Sequence, residues 1–390
     1  MHRRQFLDQS IRGGALAAGG VLLAPRDRIG AGEDGELFWN RGVQTLVPHR
    51  PPAFSIIPVV ADGKWIWTEP PEEDRGYLEP REYELKVGIH LLGSGNARGI
   101  KATTTVPSAF PEQEIEDVEI ETRGCKAALR TLRGGASQLM LAAPGISAGQ
   151  TISAVATFAI TISKQYFGYD REQFAYEQDV PNTIGKAFLQ ASPGIQTSSE
   201  EVQAVAEDLA KDLEHPWDKA KAFQEWVPAH IKARIGEYTS VVAAIKDGVG
   251  DCEERSATLV ALCRAVGIPA RLVWVPNHNW SEVYLLDKQG EGHWIPVHTS
   301  CYPWFGWVGA HELVLQKGDR VRVPERHDYF RLLEDWAQWS GAKPGVRWTA
   351  ELTPLAASKG EDPGPGARNK DAKGEWLVVG EHELNKHMRR

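Results

Sequence analysis

A cysteine at the predicted start of a buried helix is the residue of this chain best suited to nucleophilic chemistry. Asp251 and Glu254 are spaced as a capping box, so Cys252 falls in the first turn of a helix predicted over residues 251–266. Free backbone N–H groups at a helix start stabilise a thiolate and could also hold an oxyanion. Glu253 and Glu254 act against this, because nearby negative charge raises the pKa of a thiol. These opposing effects leave the direction of the shift in the pKa of the Cys252 thiol open, and a histidine partner would be needed to decide it.

Two histidines follow the helix at a spacing that would bring them together. Predicted strands over 280–286 and 293–297 are joined by a turn-rich segment, and a hairpin centred near Lys288 places His278 opposite His298. Opposed residues have Cβ atoms about 5 Å apart, although a glycine bulge would shift the register. Two histidines in register beside a helix-start cysteine favour covalent catalysis by a thiolate.

The elements that must position these residues follow an α+β order, with helices packed on an antiparallel sheet. Residues 36–169 contain alternating apolar and polar segments such as Tyr83–Ile89, which is typical of short strands in a β-sandwich. Helical periodicity begins near Ser198, and a second helix is predicted over 217–231, kinked or ended by Pro228. The cysteine helix and three strands come next.

The predicted domain organisation has five parts. They are a twin-arginine-type signal at 1–35, a β-sandwich-like domain at 36–170, a connector at 171–197, the cysteine-containing domain at 198–355 and a flexible tail at 356–390. The signal prediction rests on Arg3 and Arg4 before a short apolar run. It implies export to the periplasm or cell envelope, and a membrane association only if the signal is retained.

Composition excludes some partners. The 390-residue chain has a formal net charge of −8 without long single-sign blocks, which argues against nucleic-acid binding. Four cysteines are too few for a disulfide framework. Cys263 lies roughly 16 Å along the helix from Cys252, so these two cannot bridge, and Cys263 is predicted to be a small core residue. A bridge from Cys263 to Cys301 is the less favoured alternative. We expect no cofactor.

Four sequence blocks resemble the transglutaminase-like superfamily, a branch of the papain-like cysteine enzymes. In the family's order they are Gly250-Asp251-Cys252, Arg264–Arg271, His278–Tyr284 and Trp294–His298. Bacterial members often carry an amino-terminal β-sandwich, in agreement with the strand pattern.

The resemblance implies roles for three residues. Cys252 would be the nucleophile, and His278 would be the general base and then the general acid. His298 occupies the position where the family has an aspartate. A neutral histidine can orient the first ring by a hydrogen bond but adds no negative charge, so we expect a weakened ion pair.

Three functions remain open. The first is a cysteine-dependent hydrolase or acyltransferase whose substrate is a peptide or protein carrying a peptide bond or carboxamide. The second is a catalytically silent module that binds peptides or envelope polymers, which His298 favours. The third is a zinc site at Cys252, His278 and His298, although the usual paired ligand spacings are absent and we expect no metal. The sequence does not indicate an oligomeric state.

Overall fold

The computed structural model of the chain describes residues 36–40, 43–47, 67, 69–234, 236–276, 278–300, 304–326 and 328–355. The predicted signal at 1–35, Cys301 and the predicted tail at 356–390 lie outside the described residues. In the described part of the chain, every helix is too short or too polar to cross a bilayer.

The described residues form both helices and strands, which confirms the α+β prediction. The helices are α1 Asn182–Phe188, α2 Glu200–Ala210, α3 Pro216–His230, α4 Val241–Asp247 and α5 Cys252–Ala265, with a 3₁₀ turn at Arg171–Gln173. The strands before the helices are β1 Glu36–Asn40, β2 Val43–Val47, β3 Gly76–Leu92, β4 Ala97–Val106, β5 Gln113–Arg123, β6 Lys126–Leu132, β7 Ala136–Ile146 and β8 Thr151–Tyr166.

Further strands alternate with and follow the helices. They are β9 Lys232–Ala233, β10 Val249–Gly250, β11 Ala270–Val275, β12 His278–Leu286, β13 Gly292–Val297, β14 Trp307–Val308, β15 Gln316–Lys317, β16 Val321–Arg322, β17 Tyr329–Phe330, β18 Trp336–Gly341 and β19 Gly345–Pro354. The predicted connector at 171–197 therefore contains α1 and the 3₁₀ turn.

Two larger sheets organise the described strands. One follows the order β1-β2-β18-β4-β7-β15-β11-β12-β13, with β6 beside β7, and the other follows β14-β8-β3-β19, with β5 beside β8. The inward faces of the long strands share one apolar core that includes Leu85, Ile89, Leu141 and Phe158. Alternation of buried and exposed residues along β8 is what a half-buried strand requires.

The last two described strands return to the amino-terminal region. β18 pairs with β4, and β19 pairs with β3 along its whole length. Residues 336–354 therefore complete the sheets of the β-sandwich region, although the sequence placed them with the cysteine-containing domain. Because β15 joins β7 to β11, the larger sheet continues from the sandwich into the hairpin that carries the two histidines.

Helix α5 is the centre of the second core. Its residues from Ser256 to Arg264 are buried without interruption, because β11 and β12 cover one side and other helices cover the rest. Cys263 is fully buried as a free thiol, which confirms its prediction as a core residue. The helix stops before Gly267, whose φ of 81° suits a residue without a Cβ.

Candidate active site

The start of α5 has the capping box that the sequence predicts. The Asp251 carboxylate accepts a hydrogen bond from the backbone N–H of Glu253 at 2.7 Å, and the Glu254 carboxylate accepts one from the backbone N–H of Asp251 at 3.0 Å. Cys252 is the first helical residue and is partly buried. Its sulfur therefore lies in the turn where the helix dipole favours negative charge.

Two of the acidic side chains next to Cys252, those of Asp251 and Glu254, lie close enough together to affect each other's charge. Burial, together with the adjacent Glu254 carboxylate, raises the pKa of Asp251 to about 8. This shift favours the protonated form of the Asp251 carboxyl. Glu254 in turn accepts hydrogen bonds from the backbone N–H and the hydroxyl of Thr239, at 2.8 and 3.3 Å. The pair therefore carries less negative charge than the sequence indicates.

The third acidic side chain, Glu253, has an ion-pair partner that sequence reasoning missed. The Arg331 guanidinium donates to Glu253 Oε1 through Nε at 2.7 Å and also through Nη2. Arg331 lies 78 residues downstream, so no local pattern could have indicated the contact. The same guanidinium stacks over the ring of Tyr238, with 3.4 Å between its Cζ and the ring centroid.

Two serine hydrogen bonds join α5 to β12. The Ser256 hydroxyl donates to the Asn279 carbonyl at 3.3 Å, and the Ser281 hydroxyl donates to the Ser256 carbonyl at 3.1 Å. Ser256 lies one turn, about 6 Å, after Cys252, and Asn279 directly follows His278. The bonds thus place the first turn of α5 and the first residue of β12 at the same end of the packed pair.

The His278 ring is in the base form at neutral pH. Burial lowers the pKa of His278 to about 4. A neutral imidazole can accept the proton of a thiol, but a depressed pKa opposes a stable imidazolium.

The predicted hairpin register is wrong by two residues. Ser281 pairs with Val297 and Leu286 with Gly292, so continuation of the ladder puts residue 280, not His278, opposite His298. The turn is centred on Gln289 because the Asp287 side chain accepts backbone N–H bonds from Gln289 and Glu291, both at 2.9 Å. His278 and His298 still share a face of the sheet, because residue 280 lies opposite His298 and is two positions from His278 on the same strand.

The two histidine rings are near each other, although they are not directly opposed. Their centroids are 6.2 Å apart with an interplanar angle of 35°. Trp280 stacks on the His298 ring at 4.9 Å and 16°, and Trp304 meets the same ring edge-on at 5.0 Å. Sequence reasoning did not predict that these two tryptophans would enclose His298.

Among the described residues, none forms a hydrogen bond with either nitrogen of the His298 ring, which is 1% exposed. Burial, and then proximity to His278, keeps the pKa of His298 well below its ordinary value. Its backbone is held firmly instead, because Gln224 donates to the carbonyls of His298 and Trp304 at 3.0 and 2.9 Å. No carboxylate therefore reaches the third position within the described residues.

Glu282, the acid on the same strand face as His278, is used elsewhere. Its Oε2 accepts from Arg271 at 2.6 Å, and its Oε1 accepts from Lys317 at 2.7 Å. Arginine and lysine together, against the cost of burial, lower the pKa of Glu282. This carboxylate is bound in an ion-pair network and does not replace the missing aspartate.

A zinc site receives no support from the geometry. Among the described residues, no group of three His, Cys, Asp or Glu side chains is arranged to hold a metal ion, and this includes Cys252, His278 and His298.

The segment that contains Cys252, His278 and His298 matches the model of a known protein family. Residues 203–299 match the family model of the transglutaminase-like superfamily, so this part of the chain is a transglutaminase-like domain, as the sequence blocks predicted. Helices α2 to α5 and the hairpin β11 to β13 make up most of the matched segment.

Two of the solved structures that are similar to this chain are bacterial proteins. One, named a candidate cysteine protease from Cytophaga hutchinsonii, is 16% identical with a TM-score of 0.49, over 72% of this chain and 93% of that one. Another, named a candidate protease from Parabacteroides distasonis, is 15% identical with a TM-score of 0.24, over 56% of this chain and 43% of that one. No curated protein matches the chain significantly.

Proposed function

We propose that this protein is a cysteine-dependent hydrolase or acyltransferase acting on peptide bonds or carboxamides of peptides or proteins. The observation that supports the proposal is the serine pair, Ser256 and Ser281, whose hydrogen bonds join α5, one turn after Cys252, to the start of β12 next to His278. A cysteine in that turn and a neutral histidine on that strand are the two groups that thiolate chemistry needs.

The reaction would proceed through an acyl-enzyme. His278 takes the thiol proton of Cys252 as the sulfur attacks the substrate carbonyl carbon, and the carbonyl oxygen gains negative charge near the backbone N–H groups of the first turn. His278 then gives its proton to the leaving amine as the carbon–nitrogen bond breaks. Water or a second amine attacks the thioester, loses a proton to His278 and releases the sulfur, which regains that proton.

His298 would support this reaction weakly. Both of its ring nitrogens lack partners, and its neutral ring supplies no negative charge to stabilise the His278 imidazolium. An aspartate there would raise the pKa of His278, because an opposite charge within about 4–6 Å favours the charged form by about 1–3 pKa units.

Acylation by p-nitrophenyl acetate, followed by intact mass, tests the proposal. Wild type should accumulate one acyl group on Cys252, Cys252→Ala none, and His278→Ala should acylate at least tenfold more slowly. His298→Asp should acylate about tenfold faster near neutral pH. His293→Ala is the matched control, because His293 lies on the same hairpin but pairs with Asp287 at 2.9 Å. Acylation that survives in Cys252→Ala would contradict the proposal.

A peptide-binding module without catalysis is the second candidate, and the unpartnered His298 ring favours it. It predicts that Cys252 reacts no faster than a free thiol and that His298→Asp gains nothing. Addition of a primary amine to the acylated enzyme separates hydrolysis from transfer, because transfer yields an amide of that amine.

A further inference from the structure

The negative charge of Glu253 is a problem for a thiolate on the adjacent residue. Cys252 and Glu253 are the first two residues of α5, so their side chains leave the same turn. A like charge nearby disfavours an anion and so raises the pKa of a thiol. A thiolate there requires something to offset that charge.

Arg331 is held rigidly against Glu253. Besides its two bonds to the carboxylate, it donates to the Pro193 carbonyl through Nη1 at 3.0 Å and stacks on Tyr238. The side chains of Arg331 and Glu253 are only 17% and 19% exposed. An ion pair this shielded is screened by solvent and salt much less than a surface pair.

The remaining charges near the turn are compensated by other means. Burial and the neighbouring Glu254 raise the pKa of Asp251, and the Glu254 carboxylate accepts hydrogen bonds from Thr239 and from the backbone N–H of Asp251. Arg255 donates to the Ile231 carbonyl at 2.9 Å. The titratable and charged groups on the first turn of α5, in its ion-pair partner and the ring stacked on that partner, and in the two neighbouring histidines are Asp251, Glu253, Glu254, Arg255, Arg331, Tyr238, His278 and His298.

We infer that Arg331 is a positioning residue for the chemistry of Cys252, because its ion pair with Glu253 cancels the charge that would otherwise oppose the thiolate. This inference rests on the proposed function, in which Cys252 is the nucleophile. It assigns a role to a residue that lies outside the segment matched by the family model. Arg331 acts through Glu253 and does not itself contact the substrate.

The test measures the pH dependence of Cys252 alkylation by iodoacetamide. Only the thiolate attacks the iodoacetamide carbon, with iodide leaving, so the rate follows the thiolate fraction. Trypsin releases Asp247–Arg255, in which Cys252 is the single cysteine, so mass spectrometry reads this site alone. Arg331→Gln should raise the pH midpoint by about one unit and slow alkylation about tenfold at pH 7.

Three further variants separate charge from structure. Arg331→Gln/Glu253→Gln should return the midpoint to within about 0.3 unit of wild type, and Glu253→Gln alone should leave it unchanged or lower it. Arg331→Lys should retain most of the wild-type rate, because it keeps the charge. Arg130→Gln is the matched control, because it breaks a comparable ion pair with Glu325 at 2.6 Å in the β-sandwich region.

The inference fails if Arg331→Gln leaves the midpoint unchanged, or if the double variant is as slow as Arg331→Gln. Should Arg331→Gln not fold, a higher midpoint in Glu253→Gln would still overturn it. Alkylation requires no amide substrate, so these results stand apart from the acylation assay. If the alkylation midpoints shift as expected but no acyl-enzyme forms, the proposed function is contradicted and the role of Arg331 is not.

Discussion

The two ends of α5 treat charged and polar groups in opposite ways. At its carboxyl end Arg264 is saturated: it donates to the carbonyls of Ala270 and Gln190 and to both oxygens of Asp319, at 2.6 to 3.0 Å. Its side chain and that of Asp319 are 0% and 1% exposed. At its amino end, Cys252 is partly buried beside acidic side chains, and the nearby His298 ring nitrogens have no hydrogen-bond partner among the described residues.

This difference separates stability from reactivity along one helix. A buried polar group that is fully hydrogen-bonded fixes a single geometry, whereas an unpaired one costs about 1–3 kcal/mol. The carboxyl end therefore anchors α5 against β11, whereas the His298 ring near the amino end is buried without a hydrogen bond from any described residue. Such incomplete pairing is common where proteins do chemistry.

Breaking the anchored end should give the largest effect. Asp319→Ala leaves the Arg264 guanidinium buried without a counter-charge, which typically costs 3–5 kcal/mol in the free energy of unfolding, and we expect about that loss. Urea denaturation followed by tryptophan fluorescence measures it. Asp208→Ala removes an exposed ion pair with Lys211 and should change stability by less than about 0.5 kcal/mol. A loss below about 1 kcal/mol in Asp319→Ala would contradict the comparison.

A second buried aspartate, Asp335, tests whether the ion pair of Asp319, and not its burial alone, stabilises the protein. The Asp335 side chain is buried like that of Asp319, but among the described residues it has no ion-pair partner, and Thr104 and the Thr105 backbone are its polar neighbours. Burial raises the pKa of Asp335 from 3.8 to about 7. The folded protein therefore binds this proton more tightly than the unfolded chain, and stability falls as pH rises between these two values.

Asp335→Asn should remove this pH dependence. Relative to the variant, wild type should lose up to about 4 kcal/mol of unfolding free energy between pH 4 and pH 8, since one pKa unit corresponds to about 1.36 kcal/mol. Urea denaturation of both proteins across that range gives the difference. Asp208→Asn, at the exposed ion pair, serves as the control. Parallel pH profiles for wild type and Asp335→Asn would show that the carboxyl is satisfied in the folded protein.

Local sequence patterns predicted the parts of the site that depend on neighbouring residues. The capping box from Asp251 to Glu254 and the position of Cys252 in the first turn follow from spacing alone. The bounds of α3 and α5 and the α+β order were predictable for the same reason, whereas the short helices α1 and α4 were not predicted.

Long-range and turn-dependent features were not predictable. Arg331 reaches Glu253 from 78 residues away, and β19 returns to β3 across most of the chain. The hairpin register depended on which backbone groups Asp287 would bind, and a shift of the turn centre by one residue moves the strand pairing by two. Neither choice leaves a periodic signal in the sequence.

The serine pair between α5 and β12 gives the smallest expected effect on stability and the closest test of how the amino end is positioned. Ser256→Ala and Ser281→Ala each remove one buried hydrogen bond and should cost about 1 kcal/mol. These bonds join α5 to the start of β12 next to His278. Iodoacetamide should therefore alkylate Cys252 several-fold more slowly at pH 7 in Ser256→Ala/Ser281→Ala than in wild type. Ser137→Ala removes partly buried hydrogen bonds to Ser108 and Thr131, far from α5, and should reduce stability similarly without slowing alkylation. Equal alkylation rates in wild type and in all the serine variants would mean that the backbone alone positions the start of α5 relative to the start of β12.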